Sequence, residues 1–249
     1  MTHASIIGDI KVVLERLNKK MSQYNHSEWI DKITEMKRKY PLNISSETLS
    51  GPYVVRKIYE ITNGDAIITT DVGQHQMWAA QCYNYSKPRT YITSGGLGTM
   101  GFGLGASIGA KLGKSDKLVF NIAGDGCFRM NMNELATATR YNIPIIQVVL
   151  NNHVLGMVRQ WQDLFYEKRY SHTILKDSVD FVKISEAMGA KAYLVTKPEE
   201  LEPVLREAIE LNAPVVIECH IDSDDKVWPM VAPGAALSDT FSKEDLDNK

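Results

Sequence analysis

The chain has 249 residues, of which 44% are hydrophobic and 23% charged, and its formal net charge is -2. This is the composition of an ordinary globular protein, and the near-balanced charge gives no electrostatic reason to expect nucleic acid or an anionic membrane as a partner. No apolar run is long enough to cross a bilayer, and residues 1–10 lack a signal-peptide pattern. Three scattered cysteines predict neither a disulfide framework nor a zinc site, so we expect a cytoplasmic protein.

The first forty residues predict two helices. Residues 10–17 carry apolar side chains at helical spacing, and residues 26–39 form a second helical segment rich in lysine and arginine. The second segment is interpreted as a solvated linker helix that ends before Pro41. We therefore place a domain boundary there, with residues 1–40 as an appendage and residues 41–249 as the main domain.

From Gly51 onward, predicted strands and helices alternate. Gly51-Pro52 can begin a helix and Asn63-Gly64 can end it. The alternation predicts an α/β fold with a doubly wound, mainly parallel six-stranded sheet that is covered by helices on both faces. The predicted strands are Ala66–Thr70, Thr90–Ile92, Lys117–Ala123, Pro144–Leu150, Lys191–Val195 and Pro214–His220, and three of the predicted helices are Asn131–Arg140, Val179–Met188 and Pro198–Leu211.

Polar groups follow two neighbouring predicted strands. Gly124-Asp125-Gly126 follows one strand, and Asn151-Asn152 follows the next after 24 intervening residues. The carboxyl ends of parallel strands meet at one edge of a sheet, where ligands bind. Asp125 offers an anionic oxygen and Asn152 a neutral one, which suits a magnesium ion that also holds phosphate. Either motif alone is usually only a loop or a turn, so the specificity lies in the pair.

With this spacing, the two motifs resemble the magnesium–diphosphate motif of the thiamine diphosphate enzymes. The resemblance implies the thiamine diphosphate-binding fold and two cofactors, thiamine diphosphate and Mg²⁺. It also implies that Mg²⁺ is held by the side chains of Asp125 and Asn152 and by the backbone carbonyl of Val154. Cofactor contacts are expected from Gly124, Asp125, Gly126, Cys127, Asn152, Val154, Leu155, Gly156 and Met157.

A second segment, residues 73–78, lies after the first predicted strand of the main domain. Read alone, His75 is more readily a capping or packing histidine than a ligand. The segment resembles the Gly-Gln-His-Gln-Met-Trp phosphate segment of the acetohydroxyacid synthases. That resemblance implies contacts with the cofactor diphosphate at Val72, Gly73, Gln74 and His75.

The glycine-rich residues 94–105 leave three readings open: a dinucleotide loop, a tight connection or the wall of a binding site. The segment lacks the arrangement of strand, glycines and downstream acidic residue that is typical of nicotinamide sites. Met100 alone would be read as core packing. By the family resemblance, Met100 is the wedge between the two rings of the cofactor, and the Gly98 carbonyl accepts from its aminopyrimidine amino group.

Residues 151–166 resemble the acetohydroxyacid synthase segment that lines the substrate approach. The resemblance assigns Met157, Val158, Trp161 and Phe165 to that approach, whereas their helical spacing leaves a core stripe as the alternative. A tryptophan at the position of Trp161 distinguishes the biosynthetic enzymes from the flavin-free catabolic ones. Its ring would contact the extra methyl of 2-ketobutyrate, a contact worth about 1–3 kcal/mol.

The resemblance extends over essentially the whole chain. It implies decarboxylative condensation of pyruvate with pyruvate or 2-ketobutyrate, which gives 2-acetolactate or 2-aceto-2-hydroxybutyrate in branched-chain amino acid biosynthesis. Residues 41–234 resemble the pyrophosphate-binding domain, and residues 1–40 resemble the end of the middle domain and its linker. The flavin site of the complete enzyme would lie mostly outside this chain, so we do not expect the chain alone to bind FAD.

The glutamate that activates the cofactor in this family lies on the aminopyrimidine domain of another subunit, and no residue here can be matched to it. We therefore assign no catalytic residue and expect the isolated chain to bind the cofactor weakly and to be inactive. Expected partners are a second subunit of a dimer or tetramer, or a chain supplying the aminopyrimidine and flavin domains, with a regulatory small subunit possible in the family. The alternatives are another decarboxylase of this class, such as a pyruvate oxidase or glyoxylate carboligase, and a non-catalytic assembly module.

Overall fold

The computed structural model describes residues 2–42, 44–175 and 179–247. The chain divides into two units, Met1–Asn43 and Ile44–Lys249. In the first unit, helices α1 (Ile10–Lys20) and α2 (Ser27–Lys39) are present as predicted, and neither contains a buried residue. Trp29, the largest side chain of α2, is 62% exposed. These helices therefore gain little from hydrophobic burial within the chain.

The second unit contains a six-stranded sheet in which every strand pairs in parallel with its neighbours. The strand order is β2-β1-β3-β4-β6-β5. The predicted doubly wound sheet is thus confirmed, with each strand within two residues of its predicted bounds. The strands are β1 (Ala66–Thr70), β2 (Tyr91–Thr93), β3 (Leu118–Gly124), β4 (Ile146–Asn151), β5 (Lys191–Val195) and β6 (Val215–His220).

Of the described helices of the second unit, one precedes the first strand, and the others connect the strands or follow the last one. The helix before the first strand begins at Gly51, where the Ser50 hydroxyl accepts from the Tyr53 N–H at 3.3 Å. It ends before Asn63, which has a left-handed backbone. No helix among the described residues is both long and apolar enough to cross a membrane. The helices are α3 (Gly51–Thr62), α4 (Gln74–Cys82), α5 (Phe102–Gly113), α6 (Asp125–Asn131), α7 (Leu135–Arg140), α8 (Gly156–Phe165), α9 (Phe181–Ala187), α10 (Pro198–Glu210) and α11 (Lys243–Asp247).

Helices cover both faces of the sheet, as predicted. On one face, Ile68, Phe120 and Val148 form a buried apolar cluster with side chains from α3, α4 and α10. On the other face, Val119 and Val149 pack in a second cluster with side chains from α5, α6, α7 and α9. Because both faces of the central strands are buried, these strands are apolar almost throughout.

The predicted helix Asn131–Arg140 has different bounds in the structure. Helix α6 begins directly after β3 and ends at Asn131, and a 3-10 turn separates it from α7. The break occurs where Asn131 leaves helical geometry and its side chain donates to the Gly101 carbonyl at 2.8 Å. As a result, Asp125 lies in the first turn of a helix and not in an extended loop.

The strand order reverses direction between β1 and β3. The chain passes from β1 to β2 on one side and then returns to β3 on the other side of β1. At such a point, the connections after two neighbouring strands diverge and leave a crevice outside their carboxyl ends, which is where ligands bind in open α/β sheets. The loops after β1 and β3 contain two of the predicted cofactor segments.

Candidate functional site

A cleft of about 90 Å³ lies at the carboxyl edge of the sheet, between the loops after β1, β3 and β4. All the predicted cofactor residues line it except Gly98, and so does Val158. Gly98 lies nearby, and a Cβ placed on it would meet Val72 at 3.8 Å. The predicted cofactor residues that line the cleft are Val72, Gly73, Gln74, His75, Met100, Gly124, Asp125, Gly126, Cys127, Asn152, Val154, Leu155, Gly156 and Met157.

His75 lies between the loops after β1 and β3. A Cβ on Gly73 would lie 2.8 Å from His75 Cε1, and one on Gly124 would lie 3.1 Å from His75 Nδ1, so the ring packs against both glycine backbones. Burial lowers the pKa of His75 to about 3, although a hydrogen bond with the Asp71 backbone opposes the shift. Its Nε2 has no hydrogen-bond partner among the described residues. A buried nitrogen in this state indicates a polar ligand in the cleft.

The first turn of α6 brings Asp125 and Gly126 to the cleft. Asp125 is 1% exposed. A Cβ on Gly126 would lie 2.7 Å from Leu155 Cδ2 and 3.8 Å from Met100 Cε. The side chains of Leu155 and Met100 therefore both lie over the Gly126 backbone, and a larger residue there would displace Leu155.

The side chain of Cys127 joins the first turn of α6 to the loop after β1 by a hydrogen bond. Its Sγ donates to the Val72 carbonyl at 3.1 Å. Burial raises the pKa of the Cys127 thiol to about 12. The side chain is therefore a neutral thiol near pH 7, which suits a structural contact and not nucleophilic chemistry.

Asp71 was not singled out from the sequence, although it positions the glycine-rich segment. Its carboxylate accepts from the backbone N–H groups of Gly101 at 2.7 Å and Gly103 at 3.2 Å. Burial raises the pKa of Asp71, and these two hydrogen bonds lower it in part. A Cβ on Gly103 would lie 2.3 Å from the Asn121 amide, so the start of α5 lies directly on the sheet. Asp71 thereby holds the chain that carries Met100 into the cleft.

Asn152 lines the cleft from the loop after β4. Its Oδ1 accepts from the Val154 N–H at 3.3 Å, and its Nδ2 donates to Gln74 Oε1 at 3.4 Å. A Cβ on Gly156 would lie 2.0 Å from Gln74 Oε1 and 2.9 Å from Asn152 Nδ2. Gly156 therefore leaves the space in which these two amides meet.

Hydrogen bonds to β6 and to the chain after α8 hold the end of β4 and the loop that follows it. Asn151, the first residue of the asparagine pair, donates from Nδ2 to Glu218 Oε1 at 2.7 Å. The Leu155 N–H donates to the Thr173 carbonyl at 2.7 Å. Of the pair, only Asn152 lines the cleft, while Asn151 anchors the strand end.

Helix α8 presents a second hollow of about 490 Å³ on another side. Val158 and Trp161 line it, and the ring of Phe165 packs edge-on against Trp161 with centroids 5.4 Å apart. Gln160 is the only buried residue of α8, so the apolar positions of this helix do not form a buried core stripe. The full lining of the hollow is Met157, Val158, Trp161, Gln162, Tyr166 and Arg169.

The predicted magnesium ligands are one carboxylate, one amide and one backbone carbonyl. Asp125, Asn152 and Val154 all line the cleft. Within the described residues, no group of three histidine, cysteine, aspartate or glutamate side chains is placed to hold a metal. A cation in the cleft would therefore depend on mixed oxygen ligands, which Mg²⁺ accepts in company with phosphate and water.

Comparison with known proteins identifies the family. Residues 71–219 match the family described as thiamine pyrophosphate enzyme, C-terminal TPP binding domain. The chain belongs to this family. The matched region begins at Asp71 and ends at Cys219, so it contains every predicted cofactor residue. Membership in the thiamine pyrophosphate enzymes agrees with the parallel α/β fold and confirms the predicted resemblance.

Relatives of this thiamine pyrophosphate enzyme domain are named acetolactate synthases. The chain is 44% identical over 247 residues to the acetolactate synthase large subunit of Corynebacterium glutamicum, covering 94% of this chain and 40% of that protein. It is 42% identical over 246 residues to the mitochondrial catalytic subunit of Saccharomyces cerevisiae, covering 96% and 36%. For the isozyme 2 large subunit of Escherichia coli, the values are 37% over 241 residues, 97% and 44%. The chain thus spans less than half the length of these relatives.

Proposed function

We propose that this chain forms the pyrophosphate-binding part of an acetolactate synthase that depends on thiamine diphosphate and Mg²⁺. One observation carries the proposal: residues from three distant segments, Asp125, Asn152 and the pair Gln74-His75, line a single cleft at the switch point of the sheet. Each of these segments follows a parallel strand. Backbone N–H groups and oxygen ligands for a diphosphate and its cation therefore gather at one place.

The cleft residues fit a diphosphate group with a bound cation. His75 lines the cleft, and in the proposal its unpaired Nε2 meets a polar ligand. Gly124 and Gly126 have no side chains, so His75 and Leu155 pack directly against the backbone there. In the proposal, Asp125, Asn152 and the Val154 carbonyl hold Mg²⁺, and the cation holds the diphosphate.

The part of the cleft around Met100 and Leu155 is apolar and suits the rings of the cofactor. When bound, thiamine diphosphate supplies a nucleophilic carbon and an electron sink for decarboxylation. Met100 and Leu155, which both lie over Gly126, would contact and orient the cofactor rings. Asp71 keeps Met100 in place through the backbone of the glycine-rich segment.

The substrates in the proposal are small 2-keto acids, pyruvate as donor and pyruvate or 2-ketobutyrate as acceptor. Met157 and Val158 line both the cleft and the hollow on α8, so the two cavities share a wall. Trp161 lines the hollow, and in the proposal the acceptor contacts it there. The product would be 2-acetolactate or 2-aceto-2-hydroxybutyrate, for branched-chain amino acid biosynthesis. We propose the cytoplasm as the location of this activity.

A second polypeptide region is part of the proposal. The cleft-lining residues of the described chain include no glutamate that could assist proton removal from the cofactor. The chain spans less than half the length of its acetolactate synthase relatives. We therefore propose that activity requires the aminopyrimidine and flavin domains, supplied by a partner subunit or chain, and that FAD binds outside this chain.

The test is complementation. The chain would be co-expressed with the part of an acetolactate synthase relative that precedes the matched region, giving what we call the complemented assembly. The expected result is acetolactate from pyruvate by the assembly and none from either part alone. Formation of a different product, such as acetaldehyde or acetyl phosphate, would favour another decarboxylase of the class. Absence of all turnover across several such pairings would favour a non-catalytic assembly module.

A further inference from the structure

A buried glutamine on α8 joins the cleft to the chain after β6. Gln160 is 2% exposed. Its Oε1 accepts from the Val227 N–H at 2.9 Å, and its Nε2 donates to the Val227 carbonyl at 3.0 Å. One side chain thus satisfies both backbone polar groups of Val227, a contact that resembles one rung of a β-ladder.

The same glutamine holds Gln74. Gln74 Nε2 donates to Gln160 Oε1 at 2.9 Å and to the Asp225 carbonyl at 2.7 Å. Both donor hydrogens of Gln74 are therefore used, and its Oε1 faces Asn152 Nδ2 at 3.4 Å. Asn152 in turn directs its oxygen to the Val154 N–H at 3.3 Å.

Backbone groups fix the order of donors and acceptors along this row. The two ends of a primary amide have nearly the same shape, so rotation by half a turn costs little sterically but exchanges donor and acceptor. Backbone groups cannot exchange roles: Val227 fixes Gln160, the Asp225 carbonyl fixes the NH₂ end of Gln74, and the Val154 N–H fixes the oxygen of Asn152. Gln160 strengthens this order, because its oxygen is the second acceptor that holds Gln74 in the orientation in which Gln74 accepts from Asn152.

The orientation of Asn152 matters because of what it would hold. A magnesium ion binds the oxygen of an amide and is repelled by its NH₂ end. With Nδ2 committed to Gln74, Asn152 presents Oδ1 on the side of Val154. Loss of Gln160 would weaken the hold on Gln74 and through it the hold on Asn152, so that a larger fraction of the molecules would present the NH₂ end of Asn152.

We infer that Gln160 is a positioning residue for the magnesium site, and that residues 225–227 belong to that site through it. The inference rests on the proposed function, because it assigns Asn152 to the cation. Gln160 touches neither cation nor cofactor in this arrangement. It acts through Gln74, which favours the orientation in which Asn152 presents its oxygen to the cation.

The test compares Gln160→Met with Gln81→Met in the complemented assembly. Gln81 also donates to the same chain segment, from Nε2 to the Trp228 carbonyl at 3.2 Å, but it does not line the cleft. Calorimetric titration of Mg²⁺ at saturating thiamine diphosphate is the readout. We expect Gln160→Met to weaken Mg²⁺ binding by about twofold or more, because the apparent affinity falls in proportion to the fraction of molecules that present the Asn152 oxygen, and Gln81→Met to leave it unchanged.

A second background separates positioning from general damage. In the Asn152→Asp background both ends of the side chain are oxygen, so orientation no longer matters. Gln160→Met is expected to leave Mg²⁺ affinity unchanged there. A merely structural role would weaken Mg²⁺ binding equally in both backgrounds.

Two results would overturn these assignments separately. Equal Mg²⁺ affinity for the unaltered chain and Gln160→Met would overturn the inference and leave the proposed function intact. Failure of the unaltered assembly to bind thiamine diphosphate in the presence of Mg²⁺ would overturn the proposed function itself. If Gln160→Met does not fold, Gln160→Leu replaces it, because it also removes the amide but has a more compact side chain. The same loss of Mg²⁺ affinity is then expected, and no loss would again overturn the inference.

Discussion

The two sides of α8 differ in how they are built. The inner side carries Gly156, against which the Gln74 and Asn152 amides pack, and Gln160, which is hydrogen-bonded to Gln74. The outer side carries Val158 and Trp161, which line an open hollow, and Val158 is 51% exposed. The comparison teaches that the cofactor end of the site depends on fixed polar geometry, whereas the substrate end is an apolar surface with room to adapt. Substitutions should therefore cost much on the inner side and little on the outer side.

The largest effect is expected from Gly156→Ala. The new Cβ would lie 2.0 Å from Gln74 Oε1, and the Gln74 side chain cannot move away without breaking the two hydrogen bonds that its Nε2 donates. We expect thiamine diphosphate binding in the complemented assembly to weaken by at least about a hundredfold, and the free energy of unfolding to fall by about 1–3 kcal/mol.

Gly109→Ala is the matched control for that change. Gly109 lies in α5, and a Cβ on it meets no atom within 4 Å apart from its own helix and chain neighbours. Alanine there should stabilise the helix by up to about 1 kcal/mol and leave cofactor binding unchanged. Near-normal cofactor binding by Gly156→Ala would show that the inner side of α8 is not rigid.

Acid should destabilise the folded chain through His75, which lines the cofactor cleft. Its pKa is about 3 in the folded chain because of burial, against an ordinary value of 6.5. The unfolded chain therefore takes up a proton below pH 6.5 while the folded chain does not, so stability is lost as the pH falls from 6.5 toward 3. At pH 5 the loss is about 2 kcal/mol, and denaturant titrations of His75→Gln should lack that part of the pH dependence. An identical acid profile in the variant would contradict the assignment.

Asp225 gives a smaller effect of opposite sign. Burial, with the charge of Asp222 as a lesser cause, raises the pKa of Asp225 to about 6 from 3.8. The folded chain binds this proton more tightly, so the stability contribution falls as the pH rises from 3.8 to 6. Asp225→Asn should raise the free energy of unfolding at pH 7 by about 1–2 kcal/mol, allowing for partial solvent screening. The gain should vanish near pH 3.8; a gain independent of pH would point to another cause.

The smallest effect is expected on the outer side, from Trp161→Leu. Leucine keeps an apolar surface but loses contact with an acceptor methyl, a change of about 1 kcal/mol. In the complemented assembly the preference for 2-ketobutyrate over pyruvate should fall about fivefold, while acetolactate formation changes little. Product ratios from mixed substrates measure this directly. An unaltered ratio would remove Trp161 from the acceptor pocket.

The sequence predicted the parts of the fold and site that depend on local pattern. Apolar runs located the six strands, and polar residues directly after strands pointed to Asp125 and Asn152, because the carboxyl ends of parallel strands share an edge. Gln160 could not be found in this way, since a glutamine on an amphipathic helix is normally a solvent-facing residue. Its burial depends on Val227, 67 residues further along the chain. The break after Asn131 has the same origin, a side-chain contact with Gly101 made only in the folded chain.

The proposed magnesium site is tested most directly by thiamine diphosphate binding to the complemented assembly, measured with and without Mg²⁺, for the unaltered chain and for Asp125→Ala. Binding that requires Mg²⁺ in the unaltered assembly and is lost in Asp125→Ala is the expected result. Binding of equal affinity in both proteins, with the same dependence on Mg²⁺, would contradict the assignment of Asp125 and the site built around it.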